Sequence, residues 1–179
     1  EDPLDEAELL KERARLLIDR YGILFRELLA RELPALGWGR LFRTLRSMEL
    51  SGELVTGQFV AGVRGLQFAP PGLIEELQKE EDESVYRLNA ADPVSLCGAG
   101  LPGELPRRLP STHLIFHGSR LVLTSRRSGR DLTFAVGPDH PRIGEYLESL
   151  AALLSRREAP WKRLRVETLN NEKPRNSPY

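Results

Sequence analysis

The stretch that decides the fold of the first half of this chain is WGRLFRTLRSMELSGELVTGQFVAGVRGLQFA, residues 38–69. Within it, Leu41, Leu45 and Met48 stand at positions i, i+4 and i+7, a spacing that places them on one face of a helix over residues 38–50. The opposite face of this predicted helix is basic and polar. Its residues are Arg40, Arg43, Arg46 and Ser47.

Two runs with β-strand character, 54–61 and 66–69, follow this helix. Between them lies Gly62-Val63-Arg64-Gly65, a connection with a glycine at each end. Glycines at both ends of a short connection between apolar runs are typical of a hairpin. The sequence therefore predicts a β-hairpin with Arg64 at its tip.

Two further helical patterns precede the basic helix. Leucines recur at helical spacing over residues 5–20, and Gly22 is a suitable C-terminal stop. A second apolar stripe predicts a helix over residues 24–32, which Pro34 ends. Three helices followed by a hairpin, with the third helix basic, are the pattern of a winged helix-turn-helix, and a short closing helix is predicted over 73–79.

The residue pattern changes after an acidic run at 80–84, where we place the boundary between a winged-helix domain (5–80) and a second module (84–179). A helix is predicted from Pro141, over residues 141–157, because proline is favoured in the first helical turn. The fold class predicted is α+β, a winged helix-turn-helix followed by a β-rich, barrel-like module with one long helix. The predicted strands of this module are 84–88, 113–116, 120–124, 132–136 and 164–169.

The 26 lysines and arginines balance the 26 aspartates and glutamates, so the net charge is zero. A neutral chain has no long-range attraction for nucleic acid or for an anionic membrane, and binding of either needs a local patch. One such patch lies between residues 37 and 65, where four arginines oppose two glutamates. Arginine recognises both phosphate and guanine edges, so this patch predicts a nucleic-acid contact. The predicted contact residues are Trp38, Arg40, Arg43, Arg46, Ser47 and Arg64.

The basic residues also allow other interpretations. The helix face could be the solvated side of a winged helix that docks a partner protein or a second copy of the chain. Trp38, between Gly37 and Gly39, could stack on an unpaired base or pack beneath the entrance of the helix. A second basic cluster could extend a nucleic-acid track, but we interpret it as an ordinary helix end and an exposed strand. This late cluster contains Arg156, Arg157, Lys162, Arg163, Arg165, Lys173 and Arg175.

No catalytic residue and no metal site is predicted. The sequence contains no GxxxxGK[ST] loop, so this chain is not expected to bind or hydrolyse ATP. Cys97 is the only cysteine, which excludes an internal disulfide and suits a reducing compartment. His113 and His117 are four residues apart in a predicted strand, without a cysteine nearby to complete a metal site. No stretch approaches the roughly 18 apolar residues of a membrane helix, and we expect a cytoplasmic protein.

Several segments together resemble the winged-helix part of the Lhr ("large helicase-related") proteins. Most of these segments lie within residues 16–70, and two later segments resemble the module that follows the winged helix in that family. The segments are 17–27, 39–42, 48–53, 57–62, 65–69, 90–93, and 167–172 with Ser177-Pro178.

The resemblance implies a part of a superfamily 2 helicase, an ATP-driven 3′-to-5′ translocase that unwinds DNA and RNA:DNA hybrids and is linked to DNA repair. In that family, two RecA-like domains carry the ATPase motifs, and ATP and Mg²⁺ bind there. The winged helix and a β-barrel-like module follow and lie along the loading strand. The arrangement also resembles AlkZ-type DNA glycosylases, which implies base excision as an alternative, although no catalytic residue carries over.

We therefore expect a nucleic-acid-binding piece of a longer helicase, since the sequence lacks an initiator methionine and ends on Asn-Ser-Pro-Tyr. Its expected partners are DNA or an RNA:DNA hybrid and the helicase's own RecA-like domains. Self-association is an alternative, and no membrane contact is expected. No cofactor is expected in this chain itself.

Overall fold

The computed structural model describes residues 3–79, 82–101, 103, 105–152 and 163–179. The chain forms two compact units. The first contains Glu1–Lys79 together with Gly98–Leu105, and the second contains Glu80–Cys97 together with Pro106–Tyr179. No helix within the described ranges is both long and apolar enough to cross a lipid bilayer.

The first unit is a winged helix. Three helices and a short 3₁₀ helix (Pro34–Leu36) precede a two-stranded antiparallel sheet, and a fourth helix follows it. Val55 pairs with Ala69 and Gly57 pairs with Gln67 across that sheet. The elements are α1 (Pro3–Tyr21), α2 (Arg26–Leu29), α3 (Trp38–Leu50), β1 (Val55–Gly57), β2 (Gln67–Ala69) and α4 (Leu73–Gln78).

The core of the first unit forms where the apolar faces of its helices meet the sheet. Burying a leucine- or phenylalanine-sized side chain contributes about 1.5–3 kcal/mol, so this cluster is the main source of stability. Leu41, Leu45 and Met48 lie in it, as their spacing in the sequence predicts. The other fully buried large side chains are Leu17, Leu24, Leu28, Leu29 and Phe68.

The second helix is shorter than predicted. The sequence predicts a helix over residues 24–32, whereas α2 spans only Arg26–Leu29. Leu24 instead lies beside β2, where its N–H donates to Phe68 O at 2.8 Å and its carbonyl accepts from Phe68 N at 2.9 Å. The apolar spacing could not reveal this, because Leu24 is buried in either conformation.

In the part of the chain that the structure describes, the second unit is a five-stranded sheet with one α-helix and a short 3₁₀ helix (Arg127–Gly129). The strands follow one another in chain order, and all neighbours are antiparallel except β6 and β7. Ile115, Leu123 and Tyr146 lie in the core between the sheet and the helix. The elements are β3 (Val85–Asn89), β4 (His113–His117), β5 (Arg120–Arg126), β6 (Asp131–Phe134), α5 (Ile143–Ala151) and β7 (Thr168–Leu169).

The second unit differs from the sequence-based expectation in three respects. Its sheet is open in the described part of the chain, with β3 and β7 at the edges, whereas a barrel-like module was expected. The helix begins at Ile143 and not at Pro141, because residues 140–142 form a turn in which Ile143 N–H donates to His140 O at 3.1 Å. The predicted end of this helix, beyond residue 152, lies outside the described residues.

Residues 98–105 belong to the first unit, although the sequence-based division at 80–84 assigns them to the second. Ala99 is buried against the core of the winged helix, and Leu101 packs on the same cluster. The glycine- and proline-rich connection therefore contributes apolar side chains to the first core. A domain boundary inferred from composition cannot detect that the chain returns to the first unit after this boundary.

Candidate nucleic-acid interface

The outer face of α3 carries the predicted contact residues. Arg40, Arg43 and Ser47 are exposed there, and Arg46 is partly buried. Arg40 and Arg43 line a depression of about 410 Å³ together with Thr44 of the same helix and with Glu6 and Leu10 of α1. Neither arginine has an ion pair with any residue that the structure describes, so both guanidinium groups are available for phosphate.

Arg46 is less available than its two neighbours. Its guanidinium donates to the carboxylate of Glu49, one helical turn away. The other oxygen of that carboxylate accepts from the Thr56 hydroxyl at 2.6 Å. Binding a phosphate through Arg46 would require this pair to be broken or shared, so we expect a smaller contribution from it.

Glu53, the other acid in this stretch of sequence, is paired as well. Arg15 of α1 donates to it through two nitrogens, at 2.6 and 3.1 Å. The hydrogen bonds from the Arg15 guanidinium lower the pKa of the Glu53 carboxyl below its usual range. Both acids between residues 37 and 65 therefore have cationic partners, which leaves Arg40, Arg43 and Arg64 as the unpaired charges of that segment.

The wing presents Arg64 on a glycine-bounded turn, as the sequence predicts. Gly62 and Gly65 have φ angles of 78° and 92°, in the left-handed region that glycine adopts readily. Between them, Val63 is buried in the core of the first unit and Arg64 is exposed. The turn thus anchors one side chain and directs its neighbour outward.

Gln67 organises the wing, although the sequence alone predicted no role for it. Its side chain is completely buried. The amide oxygen accepts from Phe59 N–H at 2.9 Å and from Val60 N–H at 2.7 Å, and the amide nitrogen donates to Val60 O at 3.1 Å and Val63 O at 3.2 Å. These bonds replace the strand pairing that was predicted over residues 54–61, which explains why β1 ends at Gly57. The feature of the sequence that could have indicated this role is a glutamine within an apolar run that has β-strand character.

Trp38 packs beneath the entrance of α3, which was one of the two roles expected for it. Its ring lies 5.4 Å from that of Phe42 and 5.9 Å from that of Phe68, measured between centroids. It also lines a second depression of about 410 Å³, together with Phe42, Arg64 and Arg26. Arg26 is exposed at the start of α2 and was not among the predicted contact residues.

A separate polar cluster lies in the second unit around His117. The hydroxyl of Tyr146, whose side chain is fully buried, lies 2.8 Å from Nδ1 of His117. On the other side of the ring, Nε2 lies 2.5 Å from Glu83 Oε2 and 2.5 Å from Arg142 Nη1. Burial raises the pKa of Tyr146 above its usual value, so this hydroxyl keeps its proton and orients the imidazole ring.

A cavity of about 190 Å³ opens beside this cluster. Val122 and Val136 form apolar walls, and Glu83, His117 and His140 supply polar ones. The lining residues come from three separate stretches of the sequence, 82–83, 117–122 and 136–140, so no local pattern in the sequence groups them. His113, which was considered together with His117, lies instead beside Asn89, with 3.0 Å between its Nε2 and the Asn89 amide nitrogen.

Comparison with known proteins gives one family and two relatives. A family model described as the winged-helix domain of the large helicase-related protein matches residues 3–87. The chain is 28% identical over 191 residues to the "Lhr helicase/uracil glycosylase" of Escherichia coli (strain K12), covering 99% of this chain and 12% of that protein. It is 28% identical over 145 residues to the "Lhr helicase/ probable uracil glycosylase" of Mycolicibacterium smegmatis, covering 73% and 10%. The chain thus spans about one tenth of the length of these curated relatives.

Proposed function

We propose that this chain is part of a large helicase-related (Lhr) protein, binds nucleic acid, and holds a strand for motor domains elsewhere in a longer ATP-dependent helicase. The observation that supports this most directly is the set of unpaired arginines on α3 and the wing. Arg40, Arg43 and Arg64 project from the two elements that winged helices apply to nucleic acid, and no acid in the segment remains to neutralise them.

Each part of this surface has a distinct role in the proposal. Arg40 and Arg43 contact successive phosphates along one strand, and Arg64 contacts the backbone from the wing. Trp38 and Phe42 provide an aromatic surface in the depression beside Arg64, where an unpaired base can stack. The ligand is DNA or an RNA:DNA hybrid, in the context of DNA repair. ATP and Mg²⁺ would bind to RecA-like domains, because the sequence here contains no phosphate-binding loop.

Replacing Arg40 and Arg43 by alanine tests the proposal. We expect the affinity for forked DNA at low salt to fall at least tenfold, and the log–log salt slope to fall by roughly two units, about one for each lost phosphate contact. Fluorescence anisotropy with labelled forked and single-stranded DNA at two or more salt concentrations measures both quantities.

Arg46→Ala is the matched control, since it removes the same side chain from the same helix at a position already paired with Glu49. We expect a smaller loss of affinity from it. Unchanged binding by the double variant would refute the site assignment. If the unmodified chain shows no salt-dependent binding at all, the interaction or self-association role is favoured, and sedimentation analysis of the chain would follow.

The cavity beside His117 supports a second candidate function, the removal of a base from DNA. Its volume and its apolar walls suit a flipped-out base. In the reaction, Glu83 accepts a proton from water as the water oxygen bonds to the sugar C1′. The N-glycosidic bond breaks, the electron pair leaves with the base, and His117 returns a proton to the base. Both curated relatives carry uracil glycosylase in their names, which makes uracil the first substrate to test.

This candidate predicts release of uracil from single-stranded DNA by the chain alone, without ATP. Glu83→Gln should lower the rate of release by about 100-fold or more if its carboxylate acts as the general base. Glu148→Gln, an exposed glutamate of α5, is the control and should leave the rate unchanged. The assay is cleavage of the abasic product by alkali. If the unmodified chain releases no uracil, or if both variants retain the full rate, this candidate is excluded.

A further inference from the structure

Two oppositely charged residues line the depression of about 410 Å³ beside Trp38, and the proposed function uses neither of them. They are Arg26 and Glu27, which begin α2 and are both exposed. Neither side chain has an ion pair with any residue that the structure describes. We call this feature the α2–wing depression, and it is lined by Arg26, Glu27, Trp38, Phe42, Arg64 and Leu66.

Backbone contacts hold both sides of the α2–wing depression in place. Just before α2, Leu24 exchanges two hydrogen bonds with Phe68 of β2, so the start of the helix is tied to the sheet that carries the wing. On the wing itself, the Gln58 side-chain amide donates to Gly65 O at 2.8 Å. These contacts fix the spacing between the two sides, and a preformed site loses less conformational entropy when a ligand binds.

The lining of this depression combines an aromatic surface with one hydrogen-bond acceptor group and one donor group. Trp38 and Phe42 offer rings on which any base can stack, so stacking alone does not discriminate between bases. The Glu27 carboxylate only accepts hydrogen bonds, and the Arg26 guanidinium only donates them. Selection between bases therefore depends on which base presents donors to the carboxylate and acceptors to the guanidinium.

Guanine is the base whose two edges match this pair of side chains. Its Watson–Crick edge, which is free in a single strand, presents adjacent N1–H and N2–H donors that can bond both oxygens of one carboxylate. Its O6 and N7 are adjacent acceptors, which a guanidinium binds with two hydrogen bonds. Adenine and cytosine each place a ring-nitrogen acceptor beside the amino group, and that acceptor repels a carboxylate. Thymine has a single donor, N3–H, between two carbonyl groups.

We propose that the α2–wing depression binds an unpaired guanine in preference to the other bases. Glu27 accepts from N1–H and N2–H of the guanine, Arg26 donates to its O6 and N7, and Arg64 contacts the adjoining phosphate. The inference rests on the proposed function, because the guanine belongs to the strand that α3 holds. It adds a preference for one base to a surface whose other contacts, to phosphates and aromatic rings, are indifferent to sequence.

Single-stranded oligonucleotides that differ at one base test this selection with the full chain. In an oligothymidylate of about 12 nucleotides, one central guanine should raise the affinity roughly tenfold or more over one central adenine or cytosine. Hypoxanthine lacks the N2 amino group of guanine, and 7-deazaguanine lacks its N7. Each should therefore lose part of the gain in affinity. Fluorescence anisotropy with labelled oligonucleotides at one low salt concentration measures all of these affinities.

Glu27→Gln separates base selection from general affinity. Because the glutamine amide matches the donor and acceptor of adenine, the preference for guanine over adenine should fall roughly fivefold or more. Glu12→Gln is the matched control, since it makes the same change at an exposed glutamate of α1 outside the depression, and it should keep the preference. A misfolded variant would weaken every oligonucleotide alike, so the ratio of affinities reports on the depression. Equal ratios in the two variants would overturn the role of Glu27.

The outcomes distinguish this inference from the proposed function. If binding depends on Arg40 and Arg43 but the guanine, adenine and cytosine oligonucleotides bind within about twofold of one another, the inference is overturned and the proposed function stands. If the chain binds no oligonucleotide, the proposed function fails. GMP and AMP then test the depression through quenching of Trp38 fluorescence, with Trp161→Phe removing the other tryptophan. Quenching by GMP alone supports the inference, and equal quenching or none overturns it.

Discussion

Replacing Gln67 with methionine is expected to lower the free energy of unfolding of the first unit by about 3 kcal/mol. Methionine keeps the volume of the side chain and removes its four hydrogen bonds to the wing. The amides of Phe59 and Val60 then lose their acceptor, and each buried backbone group without a partner costs about 1–3 kcal/mol. Urea denaturation followed by circular dichroism measures the change.

Gln58 provides a control for this experiment, because it is the same residue type on the same hairpin. Its side chain is exposed and makes one hydrogen bond, to Gly65 O at 2.8 Å. Gln58→Met should therefore cost less than about 1 kcal/mol. Hydrogen exchange should report faster exchange at Phe59 and Val60 in the Gln67 variant alone. Equal stability of the two variants would show that the buried amide does not hold the wing.

The second large effect is expected at Gly129. A Cβ atom added there would lie 2.7 Å from Cγ of Leu164, and the φ angle of 89° is unfavourable for residues other than glycine. The strained backbone costs about 1 kcal/mol, and displacing the packed side chain of Leu164 costs about 1–3 kcal/mol more. Gly129→Ala should therefore lower the free energy of unfolding of the second unit by about 3 kcal/mol, as measured by urea denaturation.

Gly65→Ala separates the two contributions to this loss. Gly65 has a similar φ angle, 92°, but nothing within 4 Å of the position that a Cβ would occupy. It should show the strain alone, about 1 kcal/mol. Adding Leu164→Ala to Gly129→Ala should recover part of the loss, since the two sites are in contact. If Gly129→Ala costs no more than Gly65→Ala, the close approach of the last segment to the turn is not as tight as the structure has it.

Local patterns in the sequence were sufficient for the winged helix. The spacing of Leu41, Leu45 and Met48 specifies which face of α3 is buried, and the arginines between them must then face outward. Gly62 and Gly65 specify the turn of the wing because their backbone angles are unfavourable for other residues. These features depend on residues close together in the chain, so the backbone geometry of a helix or a hairpin determines them.

Contacts between distant residues required the tertiary structure. The charge count over residues 37–65 treats all four arginines alike, whereas the fold pairs Glu53 with Arg15, a residue 38 positions away. That pairing, together with Arg46–Glu49, makes Arg40, Arg43 and Arg64 the unpaired ones. Whether a charged side chain is available to bind a ligand depends on its neighbours in space. The local periodicity of the sequence does not specify those neighbours.

The same distinction applies to the second unit, where the sequence predicted most of the strands but none of the candidate sites. Glu83, His117 and Tyr146 meet only because β4 ends beside α5 and the residues that precede β3. Arg130 and Glu167 meet only because β7 pairs with β6. The sequence by itself determined the winged helix and its basic face, through spacings that act within one element. The tertiary structure alone decided which charges remain unpaired and which polar groups share a cavity, because both depend on packing between elements distant in the chain.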